Sequence, residues 1–245
     1  MDNQNIQLKT SRLAVLIDAD NANAKIIEPL LKEVSKYGTS HVKRIYGDWT
    51  NEQLKPWKSI LNEFAIQPIQ QFTYTSGKNA TDSALIIDAM DLLYTGNFDG
   101  FCIVSSDSDF TRLATRIRES GLLVYGFGEN KTPQPFVNAC DKFIYTEILD
   151  TGSSTKQKSS NSSKTTKTLS SKLVTLFKDV YDGIAEEEEW INLGPFGSQL
   201  TKISPSFDPR NYGYSKLSTL IKATEVFEVK PQSGSLYIRL KPKSN

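Results

Sequence analysis

Two stretches of this chain are apolar without alternation, and each runs into a group of carboxylates. Leu13-Ala14-Val15-Leu16-Ile17 leads to Asp18, Asp20 and Asn21, and Phe101-Cys102-Ile103-Val104 leads to Ser105-Ser106-Asp107-Ser108-Asp109. Such runs are the pattern of central strands covered on both faces, usual in a parallel sheet. Around them, apolar residues recur at helical spacing. Ile27, Leu30, Leu31 and Val34 predict a helix that starts near Ile27 or Glu28, since Pro29 belongs in a first turn, and that ends at Tyr37-Gly38. A strand is expected over His41 to Tyr46, a helix over Leu54 to Phe64, and a strand over Ile66 to Phe72 that Pro68 interrupts. Leu85, Ile86, Ala89, Met90 and Leu93 form the buried stripe of a helix opened by Thr81 or Asp82. Phe110, Leu113, Ala114 and Ile117 mark another, stopped by Gly121, before strands at Leu122 to Phe127 and Phe143 to Tyr145. The alternation predicts an α/β fold, a parallel sheet with helices on its faces. Ligands of such sheets sit beyond the carboxyl ends of the strands, so the two acidic tips are expected at one functional edge.

The pattern changes after residue 150. Residues 151–168 are serine, threonine, lysine and other polar residues without one apolar side chain, which predicts a flexible linker. A second pattern starts at Leu169, with Leu173, Val174, Leu176, Phe177 and Val180 on a first helix. A Gly194-Pro195 turn, a helix around Phe196 to Ile203, a helix from Lys216 to Ala223 and alternating strands at Phe227 to Val229 and Ser235 to Leu240 follow. Three helices and a hairpin are a winged-helix arrangement. The expected organisation is therefore a domain over residues 1–150, a linker over 151–168 and a smaller domain over 169–245.

Composition narrows the chemistry. The apolar runs are too short to span a membrane, and the N-terminus lacks a basic segment followed by an apolar one, so a cytoplasmic location is expected. Cys102 and Cys140 are isolated and read as reduced core thiols. His41 is the single histidine, which excludes zinc sites built on several histidines and leaves one residue for any Ser-His-Asp device. Hydrolytic chemistry would therefore rest on carboxylates. The net charge of +1 conceals segregation: residues 1–150 carry 15 basic and 19 acidic groups, whereas residues 201–245 carry eight basic and three acidic. The first part would repel nucleic acid unless cations offset it, and the last part suits a nucleic-acid-facing surface on the third helix and wing, where Arg210, Lys216 and Lys222 lie. A protein-docking role is open for the same module.

The motifs LIDADN, GKNATDSALIIDAM and IVSSDSDF, in this order on this alternation, resemble the NYN family of PIN-like nucleases over about residues 12 to 147. The second part, through Trp190-Ile191-Asn192-Leu193, Gly197-Ser198-Gln199-Leu200 and FDPRNYGYSKLSTLI, is similar to the OST-HTH or LOTUS domain. The resemblance implies an RNA-processing enzyme, a metal-dependent ribonuclease acting on single-stranded or structured RNA. By motif, Asp18, Asp82, Asp107 and Asp109 would be its acidic cluster, with Asn21 beside it; Asp20 lies between two matching positions. Clustered carboxylates raise one another's pKa unless cations neutralise them, and an oxygen-rich site suits Mg²⁺ or Mn²⁺. Asp18 and Asp107 are expected to ligate metal directly, Asp82 and Asp109 directly or through water, and Asn21 to orient. Lys78 is a candidate phosphate contact. Asp82 also reads as a helix cap, Asp88 and Asp91 as structural, and Ser105 and Ser106 either as donors or as turn residues.

Two rivals remain at this point. A haloacid-dehalogenase-like phosphatase also ends its first strand in Asp-x-Asp, with the first Asp as nucleophile, but Asn21-Ala22 replaces the usual Gly followed by Thr or Val. The other is a catalytically silent RNA-binding or adaptor protein that keeps the acidic cleft.

Overall fold

A computed structural model describes residues 10–72, 80–149, 171–185 and 190–242, and the chain divides into two compact units, Met1–Gly152 and Ser153–Asn245. The expected linker and Lys78 lie outside the described residues. In the first unit the order is β1 (Arg12–Asp18), α1 (Ile27–Val34), β2 (Thr39–Gly47), α2 (Lys55–Lys58), β3 (Gln67–Gln70), α3 (Ala80–Tyr94) and β4 (Gly100–Val104). It continues with α4 (Thr111–Glu119), β5 (Leu123–Gly128), α5 (Gln134–Ala139) and β6 (Lys142–Tyr145). The six strands lie in the order β3-β2-β1-β4-β5-β6, every neighbouring pair parallel.

The all-apolar strands are central for the expected reason: both their faces are covered. Ala14 and Leu16 of β1 and Phe101 and Ile103 of β4 pack with Leu85 and Ala89 of α3 and Leu113 and Ile117 of α4. Leu13, Val15 and Ile17, with Cys102 and Val104, pack with Ile27, Leu30 and Val34 of α1 and with Trp57 on the opposite face. Cys102 and Cys140 are free and buried. Chain order reverses between β1 and β4, so the edge beyond Asp18 and Val104 is the topological switch point of the sheet.

Three local readings are corrected. The helix expected over Leu54 to Phe64 is only a short turn, Glu52–Leu54, followed by α2, after which turns carry the chain to left-handed Ala65 (φ 49°), although Leu54, Trp57 and Leu61 are buried at the expected spacing. A further helix, α5, was hidden by Pro133 and Pro135, which occupy its start, where proline is tolerated. In the second unit the Gly194-Pro195 pair forms the first turn of a helix rather than a separate turn, with the Asn192 carboxamide accepting from the Gly194 N–H at 2.9 Å as its cap.

That second unit contains α6 (Ser171–Ile184), β7 (Ile191–Asn192), α7 (Leu193–Ile203), α8 (Leu217–Ala223), β8 (Phe227–Gln232) and β9 (Ser235–Leu240). Its sheet is antiparallel in the order β7-β9-β8. Phe177, Phe196, Phe207 and Phe227 meet at its centre, the last three each with ring centroids about 6 Å from Phe177. Among the described residues no helix is long and apolar enough to cross a membrane.

Candidate active site

The edge of the sheet is built from the ends of β1, β4 and β5 and the start of α3. Asp18 closes β1 and is wholly buried. Its Oδ1 accepts the Asp20 N–H at 3.1 Å, and its Oδ2 accepts both the Asn21 carboxamide at 2.8 Å and the Ser105 hydroxyl at 2.7 Å. Burial pushes its pKa up, against these hydrogen bonds, which favour the ionised form.

The Ser105 oxygen in turn accepts the Asp107 N–H at 3.0 Å, and Asp107 Oδ1 accepts the Asp109 N–H at 2.9 Å to start the turn Ser108–Phe110 ahead of α4. One serine therefore sets both Asp18 and the backbone that carries Asp107. Ser106 accepts the Glu129 N–H at 2.9 Å, fastening the β4 end to the loop after β5. The approach of the two ends needs Gly128, where a Cβ would stand 2.6 Å from the Ser105 carbonyl oxygen. Of the two readings open for these serines, their engaged hydroxyls and burial favour the turn.

Asp82 reaches the same place from the first turn of α3, on the other side of the sheet edge from α1. It is 9% exposed, and carboxylate oxygens of Asp82, Asp107 and Asp109 all lie within 4.8 Å of one another. Burial first, then the charges of Asp18, Asp107, Asp109 and Asp20, push the Asp82 carboxyl up to about 6. The trio thus comes from two stretches 25 residues apart in sequence, Asp82 and Asp107, and is brought together by β4 lying beside β1. Asp18 and Asn21 stand outside the trio and act on it by charge and by anchoring the loop after β1.

Helix α3 is fixed at a second point. Asp88 accepts from Arg44 and from the Tyr46 hydroxyl, both on β2, and burial pushes the Tyr46 phenol up. Asp88 is structural, as its place on the helix suggested, and it holds the element that delivers Asp82. Beside the loop after β1 lies a cavity of about 340 Å³ whose wall includes Asp20, Asn21, Lys25, Gln53, Trp57 and Lys131. His41 is on the exposed start of β2 with its ring nitrogen 3.1 Å from the Thr39 carbonyl, apart from this edge. Trp57 is buried and packs; the Trp49 indole donates to the Ile69 carbonyl at 3.0 Å.

In the second unit, Arg210 is spent on Asp208, its guanidinium donating to both carboxylate oxygens at 2.9 and 2.7 Å. Lys216 and Lys222 are exposed at the two ends of α8. A different set was missed in the sequence: Trp190, Lys230 and Arg239, with Lys230 Nζ 4.0 Å and Arg239 Cζ 4.7 Å from the centroid of the Trp190 ring. The alternation of the two hairpin strands was the available signal, since it puts Lys230 and Arg239 on the face opposite Val229 and Ile238.

Comparison with known proteins follows the same division. The NYN domain family matches residues 12–150, and the OST-HTH/LOTUS domain family matches residues 164–238. The first implies a nuclease-like fold, in which divalent metals are generally used, and the second an RNA-binding module. No curated protein matches the chain. Among solved structures, a protein of unknown function from Vibrio parahaemolyticus is similar with a TM-score of 0.46 and 17% identity, over 55% of this chain and 91% of that one. An uncharacterized protein from Nitrosomonas europaea gives a TM-score of 0.28 and 32% identity, over 37% of this chain and 95% of that one.

Proposed function

The chain belongs to the NYN-domain family, and on that premise we propose that it is a metal-dependent ribonuclease whose C-terminal module captures the RNA. The observation that carries this reading is the meeting of Asp82, Asp107 and Asp109 within 4.8 Å at the switch point of the sheet. The donor set fits a hard divalent cation, Mg²⁺ or Mn²⁺: three carboxylates with neither thiolate nor imidazole among them. After burial, the charges of Asp18, Asp107, Asp109 and Asp20 raise the Asp82 pKa, and a cation would neutralise them. Asp82, Asp107 and Asp109 would hold the ion, and Asp18 would add its charge from the anchored loop. A bound divalent cation supplies Lewis acidity toward a phosphodiester and its leaving oxygen.

The protein's own part is placement. Ser105 fixes the Asp107 backbone, Asp109 is fixed through Asp107, and the grip of Arg44 and Tyr46 on Asp88 holds α3 so that Asp82 faces them. Lys25 at the adjoining cavity offers positive charge to a phosphate chain, Lys131 being paired with Glu129 at 2.9 Å, while Gln53 offers an amide to base edges. In this reading residues 1–150 are the nuclease domain, 151–168 the linker and 169–245 the RNA-capturing domain.

The test is incubation of end-labelled RNA with the purified full chain and Mn²⁺ or Mg²⁺, with EDTA as control. Products that require the metal are expected. Intact RNA over a broad substrate panel would leave a binding adaptor.

A further inference from the structure

The hairpin of the second unit has two unlike faces. Registers pair Glu228 with Arg239, Lys230 with Tyr237 and Gln232 with Ser235, and pair Asn192 of β7 with the same Tyr237. Residues of the other parity, Phe227, Val229, Ile238 and Leu240, join the core. The outward face therefore presents Tyr237 at its middle, Lys230 and Arg239 around it, and Trp190 stacked against both cations. Lys241 follows at the same parity.

We infer that this sheet face, rather than α8, is where the C-terminal unit takes RNA, and that its ligand is an unpaired, single-stranded segment. The inference rests on the RNA-binding reading of the unit. Lys230 and Arg239 are gathered at one indole; among the described residues Glu228 is the carboxylate in their registers, 2.7 Å from Arg239, so Lys230 is the cation this face offers to an anion. Solvation alone selects no aromatic rings, whereas bases of a single strand stack on aromatic side chains while cations beside them follow the phosphates. A duplex hides the faces of its bases and offers nothing for Tyr237 to stack on, while the Trp190 ring holds the two cations beside it. The cations expected from sequence come without a ring: Arg210 is tied to Asp208 as Arg239 is to Glu228, and Lys216 and Lys222 stand at opposite ends of α8, which has no aromatic residue. The charge of the hairpin is that of an RNA surface rather than of an apolar protein contact.

The experiment is fluorescence anisotropy of a short fluorescein-labelled RNA, single-stranded or annealed, on the full chain carrying Asp107→Asn, in EDTA so that cleavage cannot interfere. Tyr237→Ala is expected to weaken single-strand binding about 5-fold or more, the worth of one stacked base, while Tyr237→Phe binds as the parent does. Lys230→Glu should weaken binding and lower the slope of log affinity against log salt by about one, and Lys222→Glu should do less than either. Circular dichroism confirms that each variant is folded, and Tyr237→Phe separates loss of the ring from loss of the fold. Equal binding of duplex, or a larger effect of Lys222→Glu than of Lys230→Glu and Tyr237→Ala, overturns the inference. If the parent chain binds no RNA at low salt, the RNA-binding reading itself falls, and the inference with it.

Discussion

The Ser105 hydroxyl donates to the buried Asp18 carboxylate at 2.7 Å across 87 residues of sequence, joining the carboxyl ends of two neighbouring parallel strands. The same oxygen receives the Asp107 N–H, so the bond couples the first acidic tip to the second. Ser105→Ala would leave Asp18 with less to offset its burial and the Asp107 N–H without its acceptor. A loss of roughly 1–3 kcal/mol is expected, the range for a buried polar group left unsatisfied. Urea unfolding of the metal-free protein measures it, and an unchanged midpoint would show that the bond contributes nothing.

Asp82 sets a trade between stability and function. Asp82→Asn removes a charge that is buried and sits among like charges, so the metal-free variant should be more stable than wild type at pH 7, by at most about 3 kcal/mol at roughly 1.4 kcal/mol per pKa unit and by less where solvent screens it. It should also lose most of the stabilisation that Mn²⁺ gives to wild type. Thermal melts with and without the ion decide; a variant less stable than wild type in EDTA contradicts the electrostatic account.

The same raised pKa fixes a pH dependence. Asp82 moves from an ordinary 3.8 to about 6 on folding, so the native state keeps a proton that the unfolded chain has lost. The stability this contributes is fully present below 3.8 and is lost as pH rises through about 6. Asp18 is shifted in the same direction. Measured in EDTA, the stability difference between wild type and Asp82→Asn should widen against wild type across that interval and then level off. A flat difference from pH 4 to 7 would refute it.

Asp88 works at one remove from the chemistry. Asp88→Ala would strand Arg44, whose Nε is already buried without a hydrogen-bond partner among the described residues, and free the Tyr46 hydroxyl. Because Arg44 is a quarter exposed, the expected cost is reduced by solvent to about 1–3 kcal/mol. Cleavage should fall with it, since α3 carries Asp82, and Asp88→Asn should recover part of both. Wild-type activity in Asp88→Ala would show that the clamp does not position the helix.

How much of this was legible follows from what each feature depends on. The runs 13–17 and 101–104 read as central strands because burial on both faces removes alternation, and their acidic tips followed from the rule for parallel sheets. The meeting of Asp82 with Asp107 was legible only through motif resemblance, because it depends on β4 choosing β1 as neighbour, which no local pattern encodes. The burial of Asp18 and its tie to Ser105 were not legible for the same reason. Helix α5 escaped because the prolines at its start read as a break, and the shortness of α2 escaped because Leu54, Trp57 and Leu61 keep a helical spacing that turns ending at left-handed Ala65 also satisfy. The face shared by Trp190, Lys230 and Arg239 escaped because hairpin register, not composition, brings those residues together.

The most direct measurement is single-turnover cleavage of labelled single-stranded RNA in Mn²⁺ by wild type and Asp107→Asn, prepared side by side. Asp107 stands partly exposed at a strand end, so the substitution should leave the melting curve in EDTA close to wild type. Wild type should produce fragments that EDTA suppresses, and Asp107→Asn should produce fewer by at least about 100-fold, the scale lost with a principal source of transition-state charge stabilisation. Equal cleavage by the two proteins, or none by either, would contradict a metal-dependent site built on Asp82, Asp107 and Asp109.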